Sequence, residues 1–169
     1  MNNKERRSAR IEEITRQLTS CFSVSETAGE AQMGDILYAM LAENPYFQAH
    51  PENLRRLPIE GDPWGRISIL ALMRGEKRPS SKTVVTIGHF DTVGISDYGS
   101  LAPYANQPDL LREKLRALEL PENVRADLES GDYLFGRGAF DMKSGDAVLI
   151  ELLEELAGQV SELEGNILF

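Results

Sequence analysis

The sequence is short of the residues on which metal and redox chemistry most often draws: one cysteine and two histidines in 169 residues. A single cysteine excludes an internal disulfide framework and any cysteine-rich zinc module. Two histidines are too few for the histidine-rich ligand sets of many catalytic zinc sites, so metal chemistry here must lean on carboxylates. Basic residues are also in deficit, 18 Lys and Arg against 27 Asp and Glu, for a formal charge of −9. That balance argues against nucleic acid or an anionic membrane as the main partner. No apolar run approaches the ~18 residues of a membrane span. The charged opening, Met1 to Arg10, lacks the apolar stretch of a signal peptide. There is no internal repeat and no low-complexity tract. The chain reads as cytoplasmic and soluble, with 41% hydrophobic residues, enough for an ordinary core.

Apolar periodicity supplies the elements. Ile11, Ile14, Leu18 and Phe22 share one face of a helix predicted from Lys4 to Cys21. A second helix, with Ser25 or Thr27 as N-cap, runs to Glu43 on a stripe of Met33, Ile36, Leu37, Met40 and Leu41, and Asn44-Pro45 stops it. A loop follows, with a short strand at Leu54–Ile59. Two strands are predicted at Ile67–Met73 and Lys82–Gly88, and their nearly unbroken apolar runs suggest a sheet covered on both faces. The stretch from Val93 to Ser130 reads as irregular apart from a helix at Pro108–Leu118. Tyr133-Leu-Phe135 reads as a short strand. A last helix, from Asp141 or Met142 to Ala157, is expected to bury Val148, Leu149, Leu152, Leu153 and Leu156 and to leave Glu151, Glu154 and Glu155 wet. Gly165–Phe169 reads as a strand. The mixed order implies an α/β layered sheet with helices on both faces.

Two constellations could carry chemistry. In Gly88-His-Phe-Asp-Thr-Val93, at a strand end, extended backbone puts His89 and Asp91 on one side. The carboxylate can then hold one ring nitrogen and leave the other free for a metal; the plainer reading is a strand-end histidine beside a solvated aspartate. In Phe135-Gly-Arg-Gly-Ala-Phe-Asp-Met-Lys-Ser-Gly145, two glycines allow a tight backbone path into a helix that Asp141 opens. That carboxylate could bridge two cations or could be an ordinary N-cap. A phosphate loop fails on spacing, because Met142 stands where glycine must precede Lys143 and Arg137 where the earlier glycine belongs. A dinucleotide fingerprint fails because position 141 is not glycine.

Taken together, these stretches resemble the M20 family of metallopeptidases and amidohydrolases, in which His-x-Asp-x-Val precedes Gly-Arg-Gly-x-x-Asp-Met-Lys-x-Gly. Ser23-Val-Ser-Glu-Thr-x-Gly29-Glu is similar to that family's N-terminal region. Asp97-Tyr-Gly99 and Gly131–Gly138 most resemble its arginine-utilisation branch. The resemblance implies a zinc-peptidase-like catalytic domain of which residues 1–169 are an incomplete, N-terminal portion. The rest of the catalytic part and a smaller inserted dimerisation domain are expected to lie outside it. It also implies His89 as a metal ligand, Asp91 as the catalytic residue orienting that histidine, and Asp141 as a carboxylate bridging two divalent ions, zinc in type, often before a cis peptide bond (here Asp141–Met142). The catalytic Glu-Glu pair of the family follows the next strand and has no counterpart here.

The implied reaction is hydrolysis of amide bonds in peptides or N-acylated amino acids, with arginine-related substrates suggested by the branch. This chain alone is expected to bind metal weakly or not at all and to be inactive. His50 has no metal-ligand spacing to any partner, and Cys21 reads as a small buried hydrophobe. Asp146 departs from the apolar residue expected after Lys-x-Gly, which could alter packing or expose that helix face. Two other readings remain open. One is a non-catalytic interaction or regulatory domain retaining the fold; the other is pairing with a separate C-terminal part, the Gly165–Phe169 strand then forming a sheet edge.

Overall fold

In the computed structural model, which describes residues 2–169, α1 spans Asn3–Thr19 and starts with a capping box, Asn2 and Glu5 each bonding the other's backbone. Ile14 and Leu18 are fully buried, as the stripe predicts. α2 spans Ala28–Ala42, and Thr27, not Ser25, caps it by accepting from the Gly29 amide. Asn44-Pro45 ends that helix and begins another: Asn44 accepts from Tyr46 N–H, and Pro45 opens the short α3, Pro45–Ala49. Sequence reading assigned a loop there, because a proline that stops one helix equally suits the first turn of the next.

The strands are β1 (Leu54–Pro58), β2 (Ile67–Arg74), β3 (Thr83–Val85) and β4 (Asn166–Leu168). Their order is β1-β2-β4-β3. β2 runs antiparallel to both β1 and β4, and β3 runs parallel to β4. β4 is therefore interior, and the edges are β1 and β3, which corrects the expectation of an edge at Gly165–Phe169. The α/β class stands. β3 is shorter than the predicted Lys82–Gly88 because β4, its one ladder partner, is only three residues long.

Helices α4 (Pro108–Arg116), α5 (Glu122–Ser130) and α6 (Ser144–Ala157) complete the chain. α5 lies in a stretch read as irregular; its side chains are mostly exposed and only Leu128 is buried, so it carries almost no apolar stripe. Tyr133–Phe135 forms no strand. One continuous core joins Ile14 and Leu18 of α1, Met33, Leu37 and Leu41 of α2, Phe47 of α3, Ala71 and Met73 of β2, and Ile150 and Leu153 of α6. α6 is rotated from its expected setting. Glu151 is buried, while Val148 and Leu152 stand exposed. The cause is α1, whose Arg7 pairs with Glu151 and Glu155 and whose Arg10 forks onto Glu154. Among the described residues no helix is long and apolar enough to cross a membrane.

Candidate metal centre

Three backbone segments converge at one end of the sheet. Beyond β3, the chain carrying His89–Thr92 is zipped to the segment after α1: Thr92 N–H donates to Ser23 O at 2.8 Å and Ser25 N–H to Thr92 O at 2.9 Å. The third segment is the turn from Gly138 to Lys143, closed by Lys143 N–H donating to Gly138 O at 3.0 Å. Gly138 sits at φ +78°, and a Cβ there would lie 2.5 Å from the Thr92 methyl. Only glycine lets the two loops touch. The Asp141–Met142 peptide is cis, as the resemblance implies.

These segments bring the three predicted site residues together. The His89 ring lies between two carboxylates, with Nδ1 3.1 Å from Asp91 Oδ1 and Nε2 3.0 Å from Asp141 Oδ1. Asp91 is held in turn by Ser25 Oγ–H, which donates to its second oxygen at 2.7 Å. The ordered relay is Ser25–Asp91–His89–Asp141. Partial burial pulls the His89 pKa down, but the hydrogen bond to Asp141 and the charge of Asp91 outweigh it, leaving the ring above its ordinary value. All three side chains remain open to solvent, Asp141 the most so at 79% exposed.

Ser25 was assigned only as a possible helix cap. Its signal lay in the Ser23–Glu30 stretch, but single-residue periodicity cannot show that this stretch reaches Asp91. Arg137 was likewise without a partner in the sequence. Its guanidinium pairs with Asp97 and lies over the Tyr98 ring, 4.9 Å from the centroid, on the wall of the 320 Å³ cleft that holds His89 and Asp141. That contact holds Asp97's carboxyl below its usual range.

Lys143 anchors the turn from below. It is 1% exposed, and its ammonium donates to Cys21 O at 2.8 Å; burial pushes its pKa down to about 8. Cys21 itself is half-buried, and burial raises its thiol pKa. His50 stacks on Tyr46, 4.7 Å between ring centroids, and joins no cluster with His89. The geometry supplies two candidate metal ligands, His89 Nε2 and Asp141, with Asp91 and Ser25 behind the histidine; among the described residues no group of three or more potential ligands gathers.

No protein-family profile matches the chain. It is similar to two proteins of Bacillus subtilis (strain 168). Identity to Protein RocB is 37% over 160 residues, which is 95% of this chain and 28% of RocB. Identity to the uncharacterized protein YqjN is 40% over 148 residues, 86% of this chain and 26% of that protein. The chain is thus related to RocB along nearly its whole length, while spanning just over a quarter of the length of these relatives.

Proposed function

We propose that this chain is the metal-ligating N-terminal portion of an M20-type, RocB-like hydrolase that cleaves amide bonds of peptides or N-acylated amino acids. The observation that carries the reading is the convergence of His89 Nε2 and Asp141 Oδ1 at 3.0 Å, with Asp91 locking the opposite ring nitrogen. An imidazole nitrogen and a carboxylate oxygen meeting across one proton form a donor pair that a divalent cation can share in place of that proton. The donor set fits such an ion on one side only, so the rest of the ligands belong to sequence outside these residues.

In this reading His89 and Asp141 would hold divalent ions, zinc by resemblance. Two bound ions would supply a water of lowered pKa and a polarised carbonyl. Asp91 accepts from His89 Nδ1–H, fixing the tautomer that leaves Nε2 unprotonated, and Ser25 keeps that carboxylate in place. Arg137, held by Asp97, gives the cleft a fixed positive wall beside Asp141. Arginine-related substrates follow from the branch the motifs resemble.

The test is a RocB-length protein carrying this segment, loaded with zinc and assayed on dipeptides and N-acetyl amino acids by amine release. Turnover is expected, falling to background in His89→Ala and Asp141→Asn. The isolated chain should show no turnover and only weak zinc binding by calorimetry. Turnover that survives both substitutions would remove His89 and Asp141 from the site, and no turnover in the unsubstituted protein would leave the interaction-module reading in its place.

A further inference from the structure

Among the described residues the largest fully buried side chain is a lysine, Lys143, at 1% exposed. An ammonium carries three donors. Here its one hydrogen bond among the described residues goes to Cys21 O, at 2.8 Å. Burying a cation on a single carbonyl costs free energy that an apolar side chain of the same length would not. Filling space therefore does not account for a lysine at this position; a methionine would fill it. What the ammonium adds is a directed tie to one point. That point suits a cation, because Cys21 lies just past the C-terminal end of α1, where the carbonyls of a helix concentrate negative charge.

The end of α1 is a fixed reference, since Leu18 and Thr19 are both completely buried. Two routes leave it. Along the chain it leads to Ser23, whose carbonyl accepts from Thr92 N–H at 2.8 Å and so sets the segment that bears His89. Across space, the Lys143 ammonium ties it to the turn that bears Asp141. That turn is packed close on both sides. A Cβ at Gly136 would lie 2.5 Å from the Thr19 methyl, and one at Gly138 would lie 2.5 Å from the Thr92 methyl and 3.2 Å from Cδ and Cε of Lys143. The links close into a ring: Lys143 Nζ to Cys21 O, along the chain to Ser23 O, across to Thr92, from its methyl to Gly138, and through Gly138 O back to Lys143 N–H at 3.0 Å. His89 and Asp141 stand on opposite halves of this ring and meet at 3.0 Å.

We infer that Lys143 is a positioning residue: by tying the Gly138–Lys143 turn to the end of α1, its ammonium sets where Asp141 stands relative to His89 Nε2. It does not line the cleft that holds these two side chains, so it acts through Asp141 and not on a substrate. The consequence for metal binding rests on the reading of His89 and Asp141 as ligands. The positioning itself is a property of the metal-free chain and can be tested there. It also predicts an asymmetry. Asp91 and Ser25 hold the opposite ring nitrogen from the His89 side of the ring, so the Lys143 tie bears on Nε2 and leaves Nδ1 alone.

The experiment reads the two ring nitrogens of His89 by NMR in the metal-free 169-residue chain, through the carbon-bound ring protons, at about pH 5, where the imidazole holds both protons. Lys143→Met keeps the stem and removes the donor. The Nε2 shift should move to that of a solvated imidazolium while Nδ1 stays in place. Rescue follows from Lys143→Cys in a Cys21→Ala background, alkylated while unfolded with bromoethylamine to restore an ammonium on a stem of equal length; Nε2 should return to its native shift. If both nitrogens move together, or neither moves, in a folded Lys143→Met chain, the inference is overturned. Where Lys143→Met does not fold, the shorter, uncharged Lys143→Gln takes its place. If neither folds, the lysine serves folding alone and the inference is equally overturned. In a RocB-length protein Lys143→Met should weaken zinc binding about tenfold or more. An Nε2 shift with zinc affinity unchanged would uphold the positioning and fail the metal-ligand reading.

Discussion

The two sides of the sheet are built from the same kinds of residue and end in opposite states. On β2, Ala71 and Met73 are completely buried under α2, α3 and α6; on and beyond β3, Val84, Val85 and Ile87 are 64%, 57% and 83% exposed. The polar groups show the reverse contrast. At the metal centre His89, Asp91 and Asp141 are solvent-exposed, yet every ring nitrogen and the Asp91 oxygens have partners. Asp146, against Gly88, is buried and has none among the described residues. Apolar strand composition says that a position suits burial, not which element covers it.

The comparison breaks first on stability. Met73→Ala opens a cavity in the continuous core and should cost about 2–5 kcal/mol in urea unfolding. Val84→Thr, on the bare edge, should change stability by less than about 0.5 kcal/mol. Similar losses at the two positions would mean that the β3 side is covered in solution, by another copy or by rearrangement.

Next comes pH. Burial raises the Asp146 carboxyl from 3.8 to about 7, against the pull of His89 and Lys143, both of which favour its ionised form. Below pH 3.8 the folded and unfolded chains both hold the proton, and the term vanishes. Above it the unfolded chain ionises first, so stability falls with rising pH until the folded group titrates near pH 7. The full loss is roughly 4 kcal/mol at about 1.4 kcal/mol per pH unit. Urea midpoints between pH 4 and pH 8 should show this decline in the native chain and lose most of it in Asp146→Leu. A flat native profile would mean that the carboxylate has found a partner.

How much of this was legible in the sequence differs between the same two sides. The stripes of α1 and α2 were read correctly because Ile14, Leu18, Met33 and Leu37 are covered by elements whose own patterns are strong. The setting of α6 was misread because Glu151, Glu154 and Glu155 look like a wet face until Arg7 and Arg10 of α1 are laid against them. His89, Asp91 and Asp141 were legible as motif residues, and their meeting follows from the motifs' joint occurrence. Ser25 and Asp97 were not, since each acts across a long chain separation, on Asp91 and Arg137 respectively. Asp146 was noticed as out of pattern but expected to disturb or expose the helix. It is buried instead, against Gly88 beyond β3, a long-range contact that no local pattern encodes.

Gly138 tests the paired loops at intermediate cost. Alanine there meets the Thr92 methyl at 2.5 Å and must hold φ +78°. Gly138→Ala should destabilise the chain by about 1–3 kcal/mol. It should also part Asp141 from His89, removing the downfield shift of the imidazole protons in NMR. Gly61→Ala offers the control: its φ is +73° but nothing lies within 4 Å, so it carries the backbone penalty without the clash. Equal effects of the two substitutions on the His89 resonances would deny that loop contact assembles the centre.

The smallest effect belongs to Ser25, and it separates orientation from ligation. Ser25 touches neither His89 nor Asp141; its hydroxyl donates only to Asp91 Oδ2 and, at 3.1 Å, to Thr92 O. Ser25→Ala leaves the Ser25–Thr92 backbone bond in place, so global stability should move by no more than about 1 kcal/mol. Zinc affinity in a RocB-length protein should fall several-fold, less than the 10- to 100-fold loss expected for Asp91→Ala, which removes the orienting carboxylate itself. The distinguishing readout is the pH at which binding half-saturates. Loss of the Ser25 bond leaves Asp91 freer to reorient and the His89 tautomer less fixed, so metal must compete with a larger population protonated at Nε2. The half-saturation pH should therefore rise in Ser25→Ala and recover in Ser25→Thr, which keeps the hydroxyl. If Ser25→Ala and Ser25→Thr behave alike, the hydroxyl does not act through Asp91, and the orderly polar contacts at the exposed centre contribute no more to ligation than solvent would.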